Sequence, residues 1–481
     1  MVKKIIKKLD SKIINSITPF SEIAYKKRKE INVFVGREQS IETLIGVLNN
    51  NILGDRSFGV SISGPGGCGK STLFGYFYQM ITSQEIFQYK HLQLEKNQCE
   101  IITAFIDAPK GEPTTLRYFW TSIIDALAEE NSDFLEDFAA LLFRKCLHVL
   151  WKSNFYQEKI GNVLGKFIPD FQENVKLNNI IELINSKKFL RVLTTNLDIL
   201  TEIRNIITSG WRILQNYEVT FGILGKTGDF NQKRFFKAEK QYFDLLFDIL
   251  SPDYDKSSEA QDIFKGVKEG LIESDSDVIK VFKWLINTWE WVIEKPISFA
   301  IGIDNIGYMT VNIEDFESAY IPFIQTILQM RDSLKKFLFV LIGTNEDWRL
   351  FNEYIDNHQD YRTQLRGFLI KKIELTRLTL EEVLEALSLM MTRFWNQAGL
   401  IHPSNPIYPF TKEFFSYLYE YHAHEYREIL LFLDNVWTYF KQSTQIFEFN
   451  NSFEMIKFVR LTLSSNIIKE LFYSTLLDWE K

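Results

Sequence analysis

Eight residues constrain this chain more than any others: Gly64-Pro-Gly-Gly-Cys-Gly-Lys70-Ser71, with Thr72 next. The stretch fits G-x-x-x-x-G-K-[ST], and its flanks fit as well. An apolar run, Ser57–Ser63, precedes it, and a helical pattern starts near Lys70. Glycines let successive backbone N–H groups turn inward with no Cβ in the way, so such a loop cradles phosphate oxygens. The helix that follows adds a partial positive charge facing the same anion. Gly64, Pro65, Gly66, Gly67, Cys68 and Gly69 would form the cradle. Lys70 would reach the β- and γ-phosphates, and Ser71, beside Thr72, would offer its hydroxyl to Mg²⁺. Cys68 reads as a small residue the loop tolerates rather than as a reactive thiol.

A loop of this kind belongs at the mouth of a buried strand. Five short apolar runs qualify as strands: Ser57–Ser63, Glu100–Asp107, Ile297–Asp304, Phe337–Thr344 and Leu369–Leu375. They are nearly continuous rather than alternating, which suits a parallel sheet covered on both faces. Helical patterns separate them, so the expected class is α/β: a five-stranded parallel P-loop sheet with a large helical insertion and a C-terminal helical lid. The expected division is a basic amphipathic N-terminal helix (1–31), a first core part (32–111), a helical insertion (112–290), a second core part (291–375), the lid (376–440) and a tail (441–481). Within the insertion, breaks are expected near Gly161–Asn162, Thr227–Asn231 and Ser251–Ser258. The lid opens with Thr379-Leu-Glu-Glu382, a capping-box pattern, and further helices are expected near Thr411–His422 and Tyr426–Phe440.

Ile297–Asp304 delivers a carboxylate at its C-terminal end, where open α/β sheets bind ligands. Asp304 is thereby placed to hold Mg²⁺, directly or through water. The next residue, Asn305, can orient a water but cannot accept its proton. Hydrolysis would be slow, or would recruit another acid such as Glu314, Asp315 or Glu346. The fourth run ends Gly343-Thr344-Asn345, which would set a polar residue between the metal-bearing strand and the loop.

Charge narrows the partners. The net charge is −7, yet residues 1–30 hold nine basic residues against three acidic ones, leaving the remainder at −13. An acidic body does not support nucleic-acid coating, although a local patch could still bind phosphates. Val2, Ile5, Ile6, Leu9, Ile13 and Ile17 recur at helical steps among the lysines, which reads as a basic amphipathic helix ending before Pro19, docked on the body with solvated lysines or else set against a membrane surface or nucleic acid. Three cysteines, Cys68, Cys99 and Cys146, form no disulfide framework and no zinc spacing. With no apolar run long enough to span a bilayer, the expected location is cytoplasmic. His422 and His424 lack a third ligand, and Trp284, Trp289 and Trp291 read as packing residues.

Taken in order, Phe34-Val-Gly-Arg-Glu38, the loop at 64–71, Asp304, Asn345 and the helices of 376–440 resemble the AAA+ and STAND ATPases, in particular the origin-recognition and archaeal-type ATPase branch. The resemblance covers about 32–111 and 291–440. It implies a five-stranded parallel sheet with a helical lid, and ATP as ligand. It further implies that Val33 and Phe34 line the adenine pocket, that Asn345 is the first sensor and that Arg427 is the second. Arg366, in Gln364-Leu-Arg-Gly367, falls where the family often carries an arginine finger acting in trans. Two departures stand out: Asn305 in place of an acidic residue, and the long interval between the second and third strands. An insertion there is also similar to the KAP branch. The resulting expectation is a slow ATPase that switches between ATP and ADP states and regulates assembly of a protein complex, or its own association, in a setting such as defence or mobile-element control. Two alternatives stay open: a DNA-binding replication initiator or loader, and a P-loop small-molecule kinase with an acceptor pocket in the insertion.

Overall fold

The computed structural model describes residues 6–8, 34–88, 99–111, 114–165, 177–186, 188–225, 228–237, 239–311, 316–398, 403–421, 426–443 and 445–447. Its strands are β1 (Ile6–Lys8), β2 (Phe58–Ser63), β3 (Glu100–Asp107), β4 (Glu218–Gly225), β5 (Gly228–Phe235), β6 (Ile297–Asp304), β7 (Phe337–Ile342), β8 (Leu369–Glu374) and β9 (Gln445–Phe447). Five of them form one sheet in the order β3-β6-β7-β2-β8, and every pair in it is parallel. The five apolar runs of the sequence are these five strands, shorter by one residue at the start of β2 and the end of β8, and by two at the end of β7.

Period-two alternation sorts each strand between two cores. Along β7, Phe337, Phe339 and Leu341 face one hydrophobic cluster, while Leu338, Val340 and Ile342 face another. Helices Glu38–Gly54 and Lys70–Thr82 cover the second face through Leu44, Leu48, Leu73, Phe74 and Phe77. Phe74 lies so close over β6 that a Cβ at Gly302 would stand 2.3 Å from its ring. A central strand buried on both sides is what continuous apolar sequence demands.

The first cluster runs without interruption from β3, β6 and β7 into the 190s and 240s of the chain. Helices Leu116–Glu130, Phe134–Trp151, Leu197–Ser209, Lys240–Ile249 and Asp275–Ile293 therefore share a hydrophobic core with one face of the sheet. Rings fill much of it: Phe143 stacks on Phe247, Trp120 meets Phe282 edge-on, and Trp284 and Trp291 are buried.

Three local expectations need correction. The interval 112–290 is not wholly helical, because β4 and β5 pair antiparallel as a hairpin with Gly225 opposite Gly228. Of the break expected at Thr227–Asn231, residues 228–231 belong to the second strand, and Thr227 lies outside the described residues. Gly161–Asn162 lies inside helix Asn154–Gly165, where a Cβ at Gly161 would make ordinary contact with Ile180. Ile6–Lys8 is a strand, paired antiparallel with β9, so tertiary pairing overrides the helical spacing there. The rest of the expected N-terminal helix lies outside the described residues.

Beyond β8, helices Leu380–Ala398, Lys412–Tyr421 and Tyr426–Ser443 pack around a separate cluster that includes Phe394, Phe414, Leu433 and Trp437. The expected capping box is present: Glu382 N–H donates to Thr379 Oγ1 at 3.3 Å, and Thr379 N–H donates to a Glu382 carboxylate oxygen at 2.7 Å. Among the described residues no helix is long and apolar enough to cross a membrane.

Candidate functional site

The carboxyl ends of β2, β7 and β8 are tied together around the glycine loop. Leu375 N–H donates to Ser63 O at 2.8 Å, Gly343 N–H to Ile62 O at 3.1 Å, and Asn345 N–H to Gly64 O at 3.2 Å. Trp348, one turn into helix Asn345–Asp356, adds an indole hydrogen bond to Ile62 O at 3.0 Å. The loop thus springs from a central strand whose end is fixed on both sides.

The loop backbone needs its glycines at specific places. Gly69 ends it at φ 90°, the left-handed region, and caps helix Lys70–Thr82, which starts at the next residue. At Gly64 a Cβ would stand 2.6 Å from Leu375 O and 2.7 Å from Cys68 Sγ. Lys70 folds back over this turn, and its ammonium donates to Gly64 O at 3.0 Å and Pro65 O at 2.6 Å. Ser71 is half-buried in the first helical turn, with Thr72 exposed beside it. Gly66 is exposed, and Pro65 and Gly67 are half-buried.

Cys68 is buried, and burial pushes its thiol up against the opposing pull of Lys70 and Arg37. It stays protonated at neutral pH, which fits a small loop residue and not a nucleophile.

Asp304 ends β6 and is buried; its Oδ1 accepts the Asn305 N–H at 2.9 Å. Because β7 intervenes, β6 lies two strand spacings from β2, about 10 Å. Asn345, the first residue of its helix, follows that intervening strand, as the sequence led one to expect, and is exposed. It borders a cleft of about 680 Å³ together with Ser63, Pro65, Arg349, Lys372 and Arg377. Ser63 Oγ is fully buried there with no hydrogen-bond partner.

Four residues with no role assigned from sequence belong to this neighbourhood. Arg37 donates to Thr376 O at 2.5 Å and to Cys68 O at 3.5 Å, clipping the loop to the linker that leads into the C-terminal helices. Asp107 ends β3 in register with Asp304 and accepts the Asn305 amide at 3.1 Å. Its position at a strand's carboxyl end was the available signal. Ser63 and Trp348 carried none, since their roles depend on which strands become neighbours.

Other expected site residues are more scattered. Phe34 stacks on Tyr76, with ring centroids 4.2 Å apart and planes 4° from parallel. Val33 lies outside the described residues, as do Glu314, Asp315, His422 and His424. Arg366 is exposed in helix Gln359–Phe368, which enters β8 at the end of the sheet away from the loop. It cannot serve the loop of its own chain. Arg427 lies in the first turn of helix Tyr426–Ser443. Glu346 is engaged by Arg349 at 2.6 Å, which holds its carboxyl below the usual range.

The donors present fit a phosphate and a hard cation. A glycine-rich turn, a helix N-terminus and the Lys70 ammonium lie together, the Ser71 hydroxyl is in that helix's first turn, and the buried Asp304 carboxylate ends a strand two spacings away. Among the described residues no group of three His, Cys, Asp or Glu could hold a metal alone. Magnesium requires no such group, since it takes one or two carboxylates and completes its shell with phosphate oxygens and water. No protein-family model matches the chain, and no curated protein matches it.

Proposed function

We propose that this chain is an ATP-binding molecular switch that hydrolyses ATP slowly, a P-loop ATPase of the AAA+ or STAND type. One observation carries the reading: a glycine-dependent turn at the end of the central strand β2 runs straight into a helix N-terminus, with Lys70 folded over it. Backbone N–H groups of residues 66–71 would hold the phosphates. Lys70 would exchange the carbonyls of Gly64 and Pro65 for β- and γ-phosphate oxygens. Magnesium would neutralise charge on the same phosphates, held by Ser71 and Asp304. Asn345 would meet the γ-phosphate from β7, and Phe34 would supply an apolar wall for the base.

The switch follows from the connections. Arg37 joins the loop to the 375–379 linker, and Arg427 opens the last helix of the C-terminal group. A γ-phosphate contacted by Lys70, Asn345 and Arg427 would join the sheet to those helices, and its loss would let them part. Arg366, far from its own loop, would act on a second copy.

The test is phosphate release and hydrogen exchange on the full chain with Mg·ATP. Turnover should be slow, and Lys70→Ala should lower it at least about a hundredfold. Exchange at 376–398 should be slower with ATP than with ADP. Equal exchange in both states would end the switch reading while leaving nucleotide binding intact.

A further inference from the structure

A group of cations gathers at the other end of the sheet from the glycine loop. Helix Phe134–Trp151 carries Arg144, Lys145 and His148, and Lys152 follows as its C-terminal cap. With Tyr217 and Glu294 they line a cleft of about 340 Å³. Glu294 caps helix Asp275–Ile293 and stands just before β6, which places the cleft by the amino end of that strand. The loop leaves the carboxyl end of β2, parallel to β6 in the same sheet, so about 25 Å of strand length lies between the two places. A nucleotide at the loop could not hand a phosphoryl group to this cleft.

The cations here are not balanced from within. Lys145 pairs with Glu294, the one carboxylate among the described lining residues. Lys152 donates to Tyr217 Oη at 3.0 Å and lies 4.7 Å from the centre of the same ring. Arg144 donates to Ser186 O at 3.3 Å, and its Nε is buried with no hydrogen-bond partner. Burial pulls this guanidinium below its usual range against the attraction of Asp137, whose carboxylate instead accepts from Asn131 Nδ2 at 2.7 Å. No carboxylate among the described residues forms an ion pair with Arg144 or Lys152. The helix C-terminus favours His148 in its last turn and Lys152 at its cap, but Arg144 and Lys145 sit further in, beyond its reach.

We propose that this cleft binds a phosphate-bearing small molecule, at a site separate from the glycine loop and independent of what the loop binds. A phosphate dianion would meet the planar fork of Arg144 and the ammonium of Lys152, and would supply the charge that partly buried guanidinium lacks. Tyr217, Val149 and Val292 would face the remainder of the ligand. The volume falls within the range of small-ligand pockets. A long polyanion leaving the cleft would instead run over a chain that is acidic outside its first thirty residues.

The test is titration calorimetry of the full Lys70→Ala chain with inorganic pyrophosphate in low-salt buffer. One saturable site of micromolar Kd is expected. Arg144→Gln and Lys152→Gln, each added to that chain, should weaken it at least about tenfold. Lys152 is exposed, so its variant should melt like the parent chain and keeps the test open should Arg144→Gln fold poorly. Lys283→Gln, an exposed change on helix Asp275–Ile293 outside the cleft, should alter the Kd less than about twofold. No binding of pyrophosphate, or a folded Lys152→Gln chain that binds it unchanged, would overturn the proposal. A short DNA single strand that binds through the same residues more tightly than pyrophosphate would overturn it in favour of a nucleic-acid surface.

Discussion

Gly69 shows how one residue carries the loop into its helix. Its φ of 90° is costly for any residue with a Cβ, although the nearest atom to such a Cβ, on Thr72, is 4.0 Å away. The cost of Gly69→Ala is therefore backbone strain without a clash, about 1–3 kcal/mol in urea unfolding. Gly46→Ala, in the middle of helix Glu38–Gly54 with open space around it, should instead gain about 0.5–1 kcal/mol. Equal effects at the two glycines would show that conformation at Gly69 is not what the loop requires. At this scale the sequence was legible wherever spacing along the chain decides geometry: the loop, Asp304, and the Thr379–Glu382 cap. It was silent on Asp107, because the bond from Asn305 spans 198 positions and exists only once β3 lies against β6.

Elements were legible where apolar character runs without a break. β2, β3, β6 and β7 are nearly continuous apolar runs because both faces of the sheet are covered there, while the edge strand β8 exposes Lys371, Lys372 and Glu374; all five emerge within two residues of their expected ends. The hairpin was not legible, since β5 reads Gly-Asp-Phe-Asn-Gln-Lys-Arg-Phe and resembles a polar break. That hairpin is nonetheless tied to the sheet. Arg234 on β5 pairs with Glu290, which also accepts the Ile297 N–H at 3.0 Å and lies 3.6 Å from the Lys336 ammonium. Glu290 and Lys336 are 1% and 3% exposed, so removing one partner leaves a buried charge uncompensated. Glu290→Ala should lower unfolding stability by about 3–5 kcal/mol while leaving nucleotide affinity unchanged, because the network sits at the opposite end of the strands from the loop. A loss below about 1 kcal/mol would mean that water or Asp55, 3.7 Å from Lys336, takes over the charge.

For the molecule as a whole, the long interval between β3 and β6 is the least sequence-legible feature and the most integrated one. It shares a core with the sheet face opposite helix Lys70–Thr82, so it packs as part of the sheet domain and not as an appended unit. The helices after β8 have their own core and follow the sheet through the segment 375–379. The charge excess at the N-terminus and the acidic remainder give the chain an uneven field, but the cradle itself is built from backbone N–H groups and needs no basic surface. The central claim is accordingly a claim about binding. Titration calorimetry of the full chain with Mg·ATP should give one saturable site, abolished in Lys70→Ala. No heat and no competition by ADP in the wild-type chain, or undiminished affinity in Lys70→Ala, would contradict it.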